Sequence, residues 1–423
     1  MYNHNIIKNT FVYIFSNALG KGIPFLLLPI LTRYLSPSDY GIIATFQIVL
    51  AFMVVFVGMN SNGAVMVNFF KMMKKQELGI YISNVFFLIF INFIFISGLI
   101  YVLGSTFSNL VKFPELWLFI SVFVALGHVI ISLNLVLWQA EQKPFSYGFF
   151  NVSNMLTNVT LSLFFIVLLG WKWQGRLLGI TIASFIFSFI GIFVLYKRKY
   201  ISFSFNKEYI KDILFFGIPL IPHALGGWIM TGIDRLFINS MINVAATGIY
   251  TVGYQVGMII GLLATSFNTA WTPFLFEKLK EDNYSTKIRI VKYTYLYCIF
   301  LIGLAVFIGV ISSNLLGFLV DKAYYGASKY VIWIAMGYAF EGIYLMVGNY
   351  IFFAKKTYLL SVATFFSAIL NLGLNYILIK KNGALGAAQA TCLTYFIFCI
   401  IAWFLSSRVY KMPWKYVLRK YIL

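Results

Sequence analysis

The chain has 423 residues, of which 61% are hydrophobic and only 10% are charged, against roughly 25% charged residues in ordinary soluble domains. A membrane-spanning helix needs about 20 apolar residues, so the apolar runs take up most of the length and exclude a sizeable soluble domain. The net charge of +20 does not indicate nucleic-acid binding, because the basic residues stand at helix ends rather than in one patch. The composition predicts an integral membrane protein that keeps its first helix, since no cleavage site follows the N-terminus.

Twelve transmembrane helices are predicted by cutting the sequence at charged and Pro/Gly-rich breaks. They are expected near residues 9–33, 41–66, 80–104, 114–138, 147–170, 175–196, 213–239, 245–270, 290–312, 329–353, 357–379 and 384–407. Six helices fall on each side of residue 200, so we expect an N-terminal lobe over residues 1–200 and a C-terminal lobe over residues 201–423. The predicted fold class is all-α and integral to the membrane.

The distribution of basic residues predicts the orientation of these helices. Placing both termini in the cytoplasm puts 22 of the 32 Lys and Arg residues on that side and eight on the other, while Lys21 and Arg235 fall within spans. The positive-inside rule favours this orientation. The longest outer connection, about residues 313–328, contains Asp321 as its only acid, which leaves little room for an external active site.

Short motifs recur in the two halves in the same order. The motif GIP at residues 22–24 returns at 217–219, YGI at 40–42 returns as TGI at 247–249, and Asn158 and Asn371 take similar places in helices 5 and 11. The spacing between the motifs differs. With both termini inside, the two six-helix halves have the same orientation, as in the parallel repeats of some secondary transporters. We expect two pseudo-symmetric six-helix bundles around a central cavity.

Lys21 and Glu341 each lie about twelve residues into a predicted helix, close to the middle of the membrane. Ionisable groups at that depth are costly and mark transport paths more often than not. We predict that Lys21 faces the cavity and binds substrate, and that Glu341 loads and releases a proton. A fixed Lys21–Glu341 ion pair with a purely structural role is the alternative for both residues.

Asp234 and Arg235 lie about 21 residues into helix 7, near its predicted outer end, and Arg33 takes the corresponding place in helix 1. Adjacent helical residues point about 100° apart, so Asp234 and Arg235 are not expected to pair with each other. Guanidinium groups suit phosphate oxygens, which predicts that the two arginines bind the phosphates of a lipid-linked substrate. Interfacial anchoring of helix ends is the alternative.

Histidines, amides and cysteines at depth give weaker signals. His223, between Pro222 and the Gly226-Gly227 pair, is a candidate for ion coupling because histidine titrates near neutrality; a packing role is the alternative, and the more common one for His128. Deep amides such as Asn268 and Asn349 are expected to form cross-helix hydrogen bonds, or else to bind sugar hydroxyls. Phosphate loops, paired catalytic carboxylates and zinc spacings are absent from the sequence, so we expect neither a cofactor nor a metal nor an enzyme.

The block GIPLIPHALGGWIMTGIDRLFINSM at residues 217–241, with ATGIYTVGYQVG at 246–257 and NTAWTPFLFE at 268–277, resembles the polysaccharide biosynthesis transporters, the Wzx-type flippases of O-antigen and capsule repeat units. TRYLSPSDYGIIATFQ at 32–47 is similar to the family's first loop, and the turn at Gly175-Arg176 is similar as well. The resemblance extends over essentially the whole chain.

This resemblance implies the multidrug/oligosaccharidyl-lipid/polysaccharide exporter fold: two six-helix lobes, V-shaped, that open alternately inward and outward. It implies transport of an undecaprenyl-pyrophosphate-linked oligosaccharide across a bacterial inner membrane, with proton or sodium antiport as the driving force and with a polysaccharide polymerase and a chain-length regulator as partners. Arg33, Asp234 and Arg235 match family positions. Lys21, Glu341 and Arg176 are assigned mainly on physical grounds. Arg176 is predicted to bind the substrate.

Two other functions stay open at this point. A multidrug antiporter of the same superfamily should have an anionic cavity for cationic drugs, whereas Lys21, Arg33 and Arg235 outnumber Asp234 and Glu341. An O-antigen polymerase would be an enzyme with a large periplasmic loop. The short loops predicted here argue against a polymerase.

Overall fold

A computed structural model describes residues 16–421 except residues 17–18, 21, 73, 203 and 282, and it leaves the side chains of residues 418–421 undescribed. Every regular element in this part of the chain is helical. The helices are α1 Gly22–Tyr34, α2 Pro37–Gly58, α3 Ser61–Lys71, α4 Lys75–Val111, α5 Glu115–Ala140, α6 Pro144–Leu163, α7 Lys172–Lys197, α8 Lys207–Gly217, α9 Ile221–Met241, α10 Val244–Gly257, α11 Ile259–Lys280, α12 Tyr284–Leu319, α13 Ser328–Phe353, α14 Tyr358–Asn382, α15 Ala384–Val409 and α16 Trp414–Tyr421.

Within the described residues, eleven helical segments are long and apolar enough to cross a membrane, and α1 is a shorter apolar helix inside the first predicted span. The prediction of an all-α membrane protein with about twelve spanning helices is confirmed. The long helices α4 and α12 have 37 and 36 residues. At 1.5 Å per residue they reach roughly 55 Å, against about 30 Å of hydrocarbon, so they extend beyond the bilayer.

Several predicted helices are interrupted in the structure. The second predicted span is divided at Met59 and Asn60, which both have left-handed backbone angles (φ 45° and 53°). The seventh passes through a 3₁₀ turn at Ile218–Leu220 between α8 and α9, where Pro219 cannot donate a backbone hydrogen bond. Gly217 permits the close approach of this turn to the α2–α3 break, because a Cβ there would overlap the carbonyl oxygen of Met59.

The chain divides into two compact units, residues 1–228 and 229–423. In the first unit, α5 lies at the centre and packs against α2, α3, α4 and α7, while α6 pairs with α7. The amphipathic helix α8 packs on α3 and α4. There the carboxylate of Asp212 accepts hydrogen bonds from Asn68 Nδ2 at 3.0 Å and from the Tyr81 hydroxyl at 2.8 Å, which fixes α8 to both neighbours.

In the second unit, α13 takes the central position, packing against α10, α11, α12 and α15, while α14 pairs with α15. Gly253, Gly257 and Gly261 recur every four residues along α10 and α11 and face α13. A Cβ at Gly253 would lie 2.6 Å from the carbonyl oxygen of Ala327, and a Cβ at Gly257 would lie 2.7 Å from Ile334 Cβ. A Cβ at Gly261 would overlap the ring of Tyr338. Small residues at this spacing let two helix backbones approach closely, so they bring α10 against α13.

The two units repeat the same arrangement. Helices α4, α5 and α7 have 37, 26 and 26 residues, and α12, α13 and α15 have 36, 26 and 26. Each unit continues into a short amphipathic helix, α8 or α16, that packs on its long helix, α4 or α12. The predicted two-lobed repeat is confirmed. The predicted lobe boundary at residue 200 falls between α7 and α8 and stays a prediction; the compact units divide at residue 228, and α8 packs on α3 and α4 of the first unit.

Candidate functional site

Asp234 and Arg235 lie together in the interior of the second unit, on α9. Their exposed fractions are 3% and 7%. The Arg235 guanidinium donates from Nη1 to the carbonyl oxygen of Thr231, one helical turn earlier, at 2.7 Å. It also stands over the ring of Tyr254, with Cζ 3.8 Å from the ring centroid. A buried cation is thus held by a carbonyl dipole and by the face of an aromatic ring.

The carboxylate of Asp234 is held from three directions. It accepts hydrogen bonds from the backbone N–H of Arg235 at 2.8 Å and from the Tyr250 hydroxyl, and its Oδ1 lies 3.5 Å from Arg235 Nη1. The prediction that Asp234 and Arg235 do not pair was therefore wrong. Helical side chains point back toward the N-terminus, and the long arginine folds along α9 to Thr231, which carries its guanidinium past the neighbouring carboxylate.

Tyrosines from three helices form a shell around this pair. Tyr250 and Tyr254 come from α10, Tyr338 from α13 and Tyr395 from α15, and all four are buried. The hydroxyls of Tyr254 and Tyr338 lie 2.7 Å apart and share a hydrogen bond, and the Tyr338 ring lies 5.8 Å from that of Tyr395. We call the pair and these four residues the tyrosine shell.

Glu341 belongs to the same region. It lies one helical turn after Tyr338 on α13 and interacts electrostatically with Tyr254, Tyr338 and Tyr395 of the shell. Its side chain is half-buried. The structure therefore brings Glu341 to the shell that holds Asp234 and Arg235, a neighbourhood that the sequence did not predict.

Arg176 forms a separate site in the first unit. It lies on α7, and its Nη1 donates to Asn158 Oδ1 and to Ser162 Oγ of α6, both at 2.6 Å. Gly179, one turn further along α7, lies so close to α6 that a Cβ at this position would overlap Ser162. This close approach of α7 to α6 brings Arg176 within hydrogen-bonding distance of α6. Arg176 is buried, and the two side chains that accept its hydrogen bonds are both neutral.

The other predicted site residues that the structure describes belong to the first unit. Arg33 is exposed at the end of α1, and His223 is exposed on α9, within the first unit. His128 is half-buried in α5. Lys21 lies outside the described residues, so its predicted role stays a prediction.

The deep amides connect helices, as predicted. Asn349 of α13 donates to Asn268 Oδ1 of α11 at 2.8 Å, and Asn371 of α14 donates to Thr394 Oγ1 of α15 at 3.1 Å. The described residues contain no group of three or more His, Cys, Asp or Glu side chains placed to hold a metal ion. The tyrosine shell and Glu341 together offer one guanidinium, two carboxylates and several hydroxyls, a set suited to binding anions, sugars or protons.

The tyrosines are the functional candidates that the sequence analysis missed. Aromatic residues make up 19% of the chain, so a functional tyrosine cannot be distinguished from the others by residue type alone. The four-residue spacing of Tyr250 and Tyr254, which places both on one helix face beside the Asp234-Arg235 pair, is the signal that could have identified them.

Comparisons with known proteins define the family. Residues 6–279 match the model of the family described as polysaccharide biosynthesis protein. The chain is 27% identical to an uncharacterized membrane protein of Haemophilus influenzae, covering 87% of this chain and 89% of that protein. It is 26% identical to capsular polysaccharide biosynthesis protein CapF of Staphylococcus aureus, covering 96% and 100%. Agl15 of Haloferax volcanii, named "probable low-salt glycan biosynthesis flippase", is 22% identical, covering 96% and 84%.

Two solved structures share the fold. The inward closed conformation of the lipid II flippase MurJ has a TM-score of 0.75 at 18% identity, covering 98% of this chain and 89% of that one. An inward-facing multidrug resistance transporter of the MATE family has a TM-score of 0.72 at 13% identity, covering 98% and 96%. The fold is that of these transporters, and the resemblance predicted from the sequence is confirmed. This multi-pass membrane protein belongs to the polysaccharide biosynthesis protein family.

Proposed function

We propose that the protein is a flippase that moves undecaprenyl-pyrophosphate-linked oligosaccharide units across a bacterial inner membrane by alternating access. The observation that carries the proposal is the buried Arg235–Asp234 pair inside a membrane-spanning bundle of this family. A charged pair at this depth costs free energy, and a guanidinium among hydroxyls matches the phosphates and sugar hydroxyls of such a substrate. The Staphylococcus relative named for capsular polysaccharide biosynthesis and the Haloferax relative named as a glycan flippase support this substrate class.

The substrate contacts are proposed for Arg235 in the second unit and Arg176 in the first. Both arginines are buried, so each must become accessible during the transport cycle. Arg33, which is exposed, and Lys21 are proposed as further cationic contacts on the substrate's path.

Deleting the gene and following lipid-linked repeat units tests the proposal. A flippase mutant should accumulate complete lipid-linked units in the inner leaflet, and plasmid expression should restore their export. Normal translocation with surface glycan limited to single units would identify a polymerase instead and overturn the proposal.

The MATE-like fold keeps a multidrug antiporter as the second candidate, because its TM-score of 0.72 is close to that of the flippase. An antiporter would extrude cationic drugs, so expression in a drug-sensitive strain should raise drug tolerance. We expect no change in tolerance, since the Asp234 carboxylate is already occupied by Arg235 and Tyr250.

Ion coupling is proposed for Glu341, with Asp234 and His223 as further ion-coupling candidates. Glu341 is half-buried and interacts electrostatically with three tyrosines of the shell, so opening of the lobe would change its solvation and its affinity for a proton. Glu341→Gln keeps the shape and removes the titration, and we expect transport in vesicles to lose its dependence on an imposed pH gradient. An unchanged pH profile would remove Glu341 from this role, while a dependence on a sodium gradient would assign the coupling to another ion.

A further inference from the structure

A groove of about 750 Å³ lies on the second unit, where the start of α12, the end of α15 and the helix α16 meet. Its walls combine lysines with large aromatic side chains. The lining residues on which the argument depends are Tyr284, Lys287, Trp403, Ser407, Lys411 and Lys415. No acidic side chain is among the residues that line it, so the groove has a positive potential.

The helix α16 is anchored so that it forms a fixed wall. Met412 and Val417 are buried in a cluster with residues of α11, α12 and α13. The ring centroids of Trp414 and of Trp403 on α15 lie 5.0 Å apart. The backbone carbonyl oxygen of Trp414 accepts a hydrogen bond from the Tyr295 hydroxyl of α12 at 3.4 Å. These contacts hold α16 across the ends of α12 and α15 instead of leaving it as a free tail.

Two of the three lysines that line the groove are accessible to a ligand. Lys411 and Lys415 are exposed, and three lysines around one groove supply a site for a phosphate. Trp414 also lines the groove, and its ring adds an aromatic wall beside the lysines.

The surface that continues from the groove is apolar. Leu296, Ile299 and Phe300 on α12 are 53%, 60% and 61% exposed, and Ile400 and Phe404 on α15 are 51% and 52% exposed. These side chains belong to helices that are long and apolar enough to span a membrane, so they supply an apolar surface suited to acyl chains. A ligand in the groove therefore meets lysines at one end and an acyl-chain surface at the other.

We propose that this groove binds the phosphate headgroup of an anionic phospholipid, with its acyl chains along α12 and α15. Basic grooves between transmembrane helices at the cytoplasmic side are suited to such headgroups, and the aromatic residues match the interfacial depth. The helix ends that form the groove are those that the basic-residue distribution predicts to be cytoplasmic. The bound lipid would fix α16 to the bundle and so stabilise the second unit.

The repeat offers a natural comparison inside the same chain. Its counterpart α8 in the first unit also borders a groove, of about 520 Å³, lined by Lys207 and Lys211 together with Ile210, Leu214 and Phe215. That groove lacks the tryptophans and the third lysine. We therefore expect the α16 groove to bind the headgroup more tightly.

The test uses the purified full-length protein in detergent, with its unfolding temperature followed during titration with dioleoyl-phosphatidylglycerol. We expect a rise in unfolding temperature that neither dioleoyl-phosphatidylcholine nor inorganic phosphate reproduces. The variant Lys411→Gln/Lys415→Gln should bind phosphatidylglycerol roughly 25-fold more weakly, at about five-fold for each lysine near an anionic lipid surface. Both lysines are exposed, so the variant should fold normally.

Lys380→Gln/Lys381→Gln is the matched control, because it removes two exposed lysines from the far end of α14. It should keep the full effect of phosphatidylglycerol. Ser407→Glu gives an independent variant that adds a carboxylate to the groove, and it should also weaken binding. Equal stabilisation of the Lys411/Lys415 variant, or equal stabilisation by phosphatidylcholine or by inorganic phosphate, would overturn the proposal.

Discussion

Arg235 is bound by a carbonyl oxygen, an aromatic ring and a carboxylate at once. Its removal therefore has two separable consequences. It takes away a cation that is proposed to bind substrate, and it leaves Asp234 buried with only its hydrogen bonds. Removing one partner of a buried pair costs about 3–5 kcal/mol, whereas replacing both by uncharged groups is often nearly neutral.

The pair can be tested by comparing single and double variants. Arg235→Met should lower the amount of protein in the membrane, and Asp234→Asn/Arg235→Met should restore much of it, because no unpaired charge is left inside. We expect export of lipid-linked units to stay abolished in the double variant. Quantitative blotting of membranes and a surface-glycan assay measure the two effects. Recovery of export in the double variant would show that Arg235 acts only through Asp234 and does not bind substrate.

Glu141 lies between α5 and α6, outside the membrane-spanning segments. Burial raises the pKa of its carboxyl. Hydrogen bonds from Tyr200 and Lys143 and the charges of Arg198 and Lys143 together lower the pKa by more than burial raises it, so the pKa lies below its ordinary value. The carboxylate therefore stabilises the folded protein above the unfolded-state pKa of about 4.3. This contribution is lost as the pH falls through the folded-state pKa.

Unfolding temperature measured against pH checks this contribution. Glu141→Gln should unfold at a lower temperature than the original protein at neutral pH, and the difference should shrink as the pH falls below about 4.3. Glu208→Gln, at an exposed position in the first turn of α8, is the control and should follow the original curve. A Glu141→Gln curve that stays parallel to the original one at all pH values would contradict the ion-pair argument.

At the scale of the helix, the approach of α10 to α13 depends on glycines that no side chain can replace. A Cβ at Gly257 would lie 2.7 Å from Ile334 Cβ and 3.0 Å from the backbone nitrogen of Ala335. Backbone atoms cannot move aside as the end of a flexible side chain can. The helix α10 also carries Tyr250 and Tyr254, so a change in this packing reaches the tyrosine shell.

Gly257→Ala should therefore destabilise the protein by about 1–3 kcal/mol through overpacking. Gly303→Ala on α12 is the matched control, because a Cβ there meets nothing within 4 Å; it should be neutral or stabilising by up to about 1 kcal/mol through helix propensity. Thermal unfolding in detergent compares the two variants. Equal effects of both substitutions would show that the α10–α13 contact is not limited by backbone distance.

The sequence predicted helices better than it predicted their breaks. Pro219 lies in the 3₁₀ turn between α8 and α9, and a proline is a local signal for such an interruption because it removes a backbone donor. The break after α2 is formed by Met59 and Asn60 in left-handed conformations. Asparagine is enriched in that region and methionine is not, so Asn60 alone is a weak local signal, and the sequence analysis did not predict this break.

At the scale of the whole molecule, the orientation in the membrane stays a prediction from the Lys and Arg distribution. Single cysteines at Lys322, between α12 and α13, and at Lys356, between α13 and α14, test it after Cys298, Cys392 and Cys399 are replaced by serine. Both lysines are exposed. A membrane-impermeant maleimide added to spheroplasts should label Lys322→Cys and should label Lys356→Cys only after lysis. The opposite pattern would reverse the proposed topology.

The sequence by itself determined the class of the protein and the identity of its charged residues. Apolar runs of about 20 residues require helices in a bilayer, because every backbone polar group must be satisfied internally. Isolated charges such as Asp234, Arg235 and Glu341 stand out against that background, so they could be named without a structure. The sequence also identified the family, because the motifs that carry the resemblance are defined by the order of residues along the chain.

Only the tertiary structure decided which of these residues meet. Asp234 and Arg235 pair because the arginine folds back to Thr231, and four tyrosines from α10, α13 and α15 enclose them. Glu341 joins this shell, whereas Arg176 binds Asn158 and Ser162 in the other unit. The hydrophobic periodicity of the sequence indicates which face of a helix a residue occupies. It does not indicate which other helix packs on that face, because that is set by contacts between helices distant in sequence, such as the glycine contacts of α10 with α13.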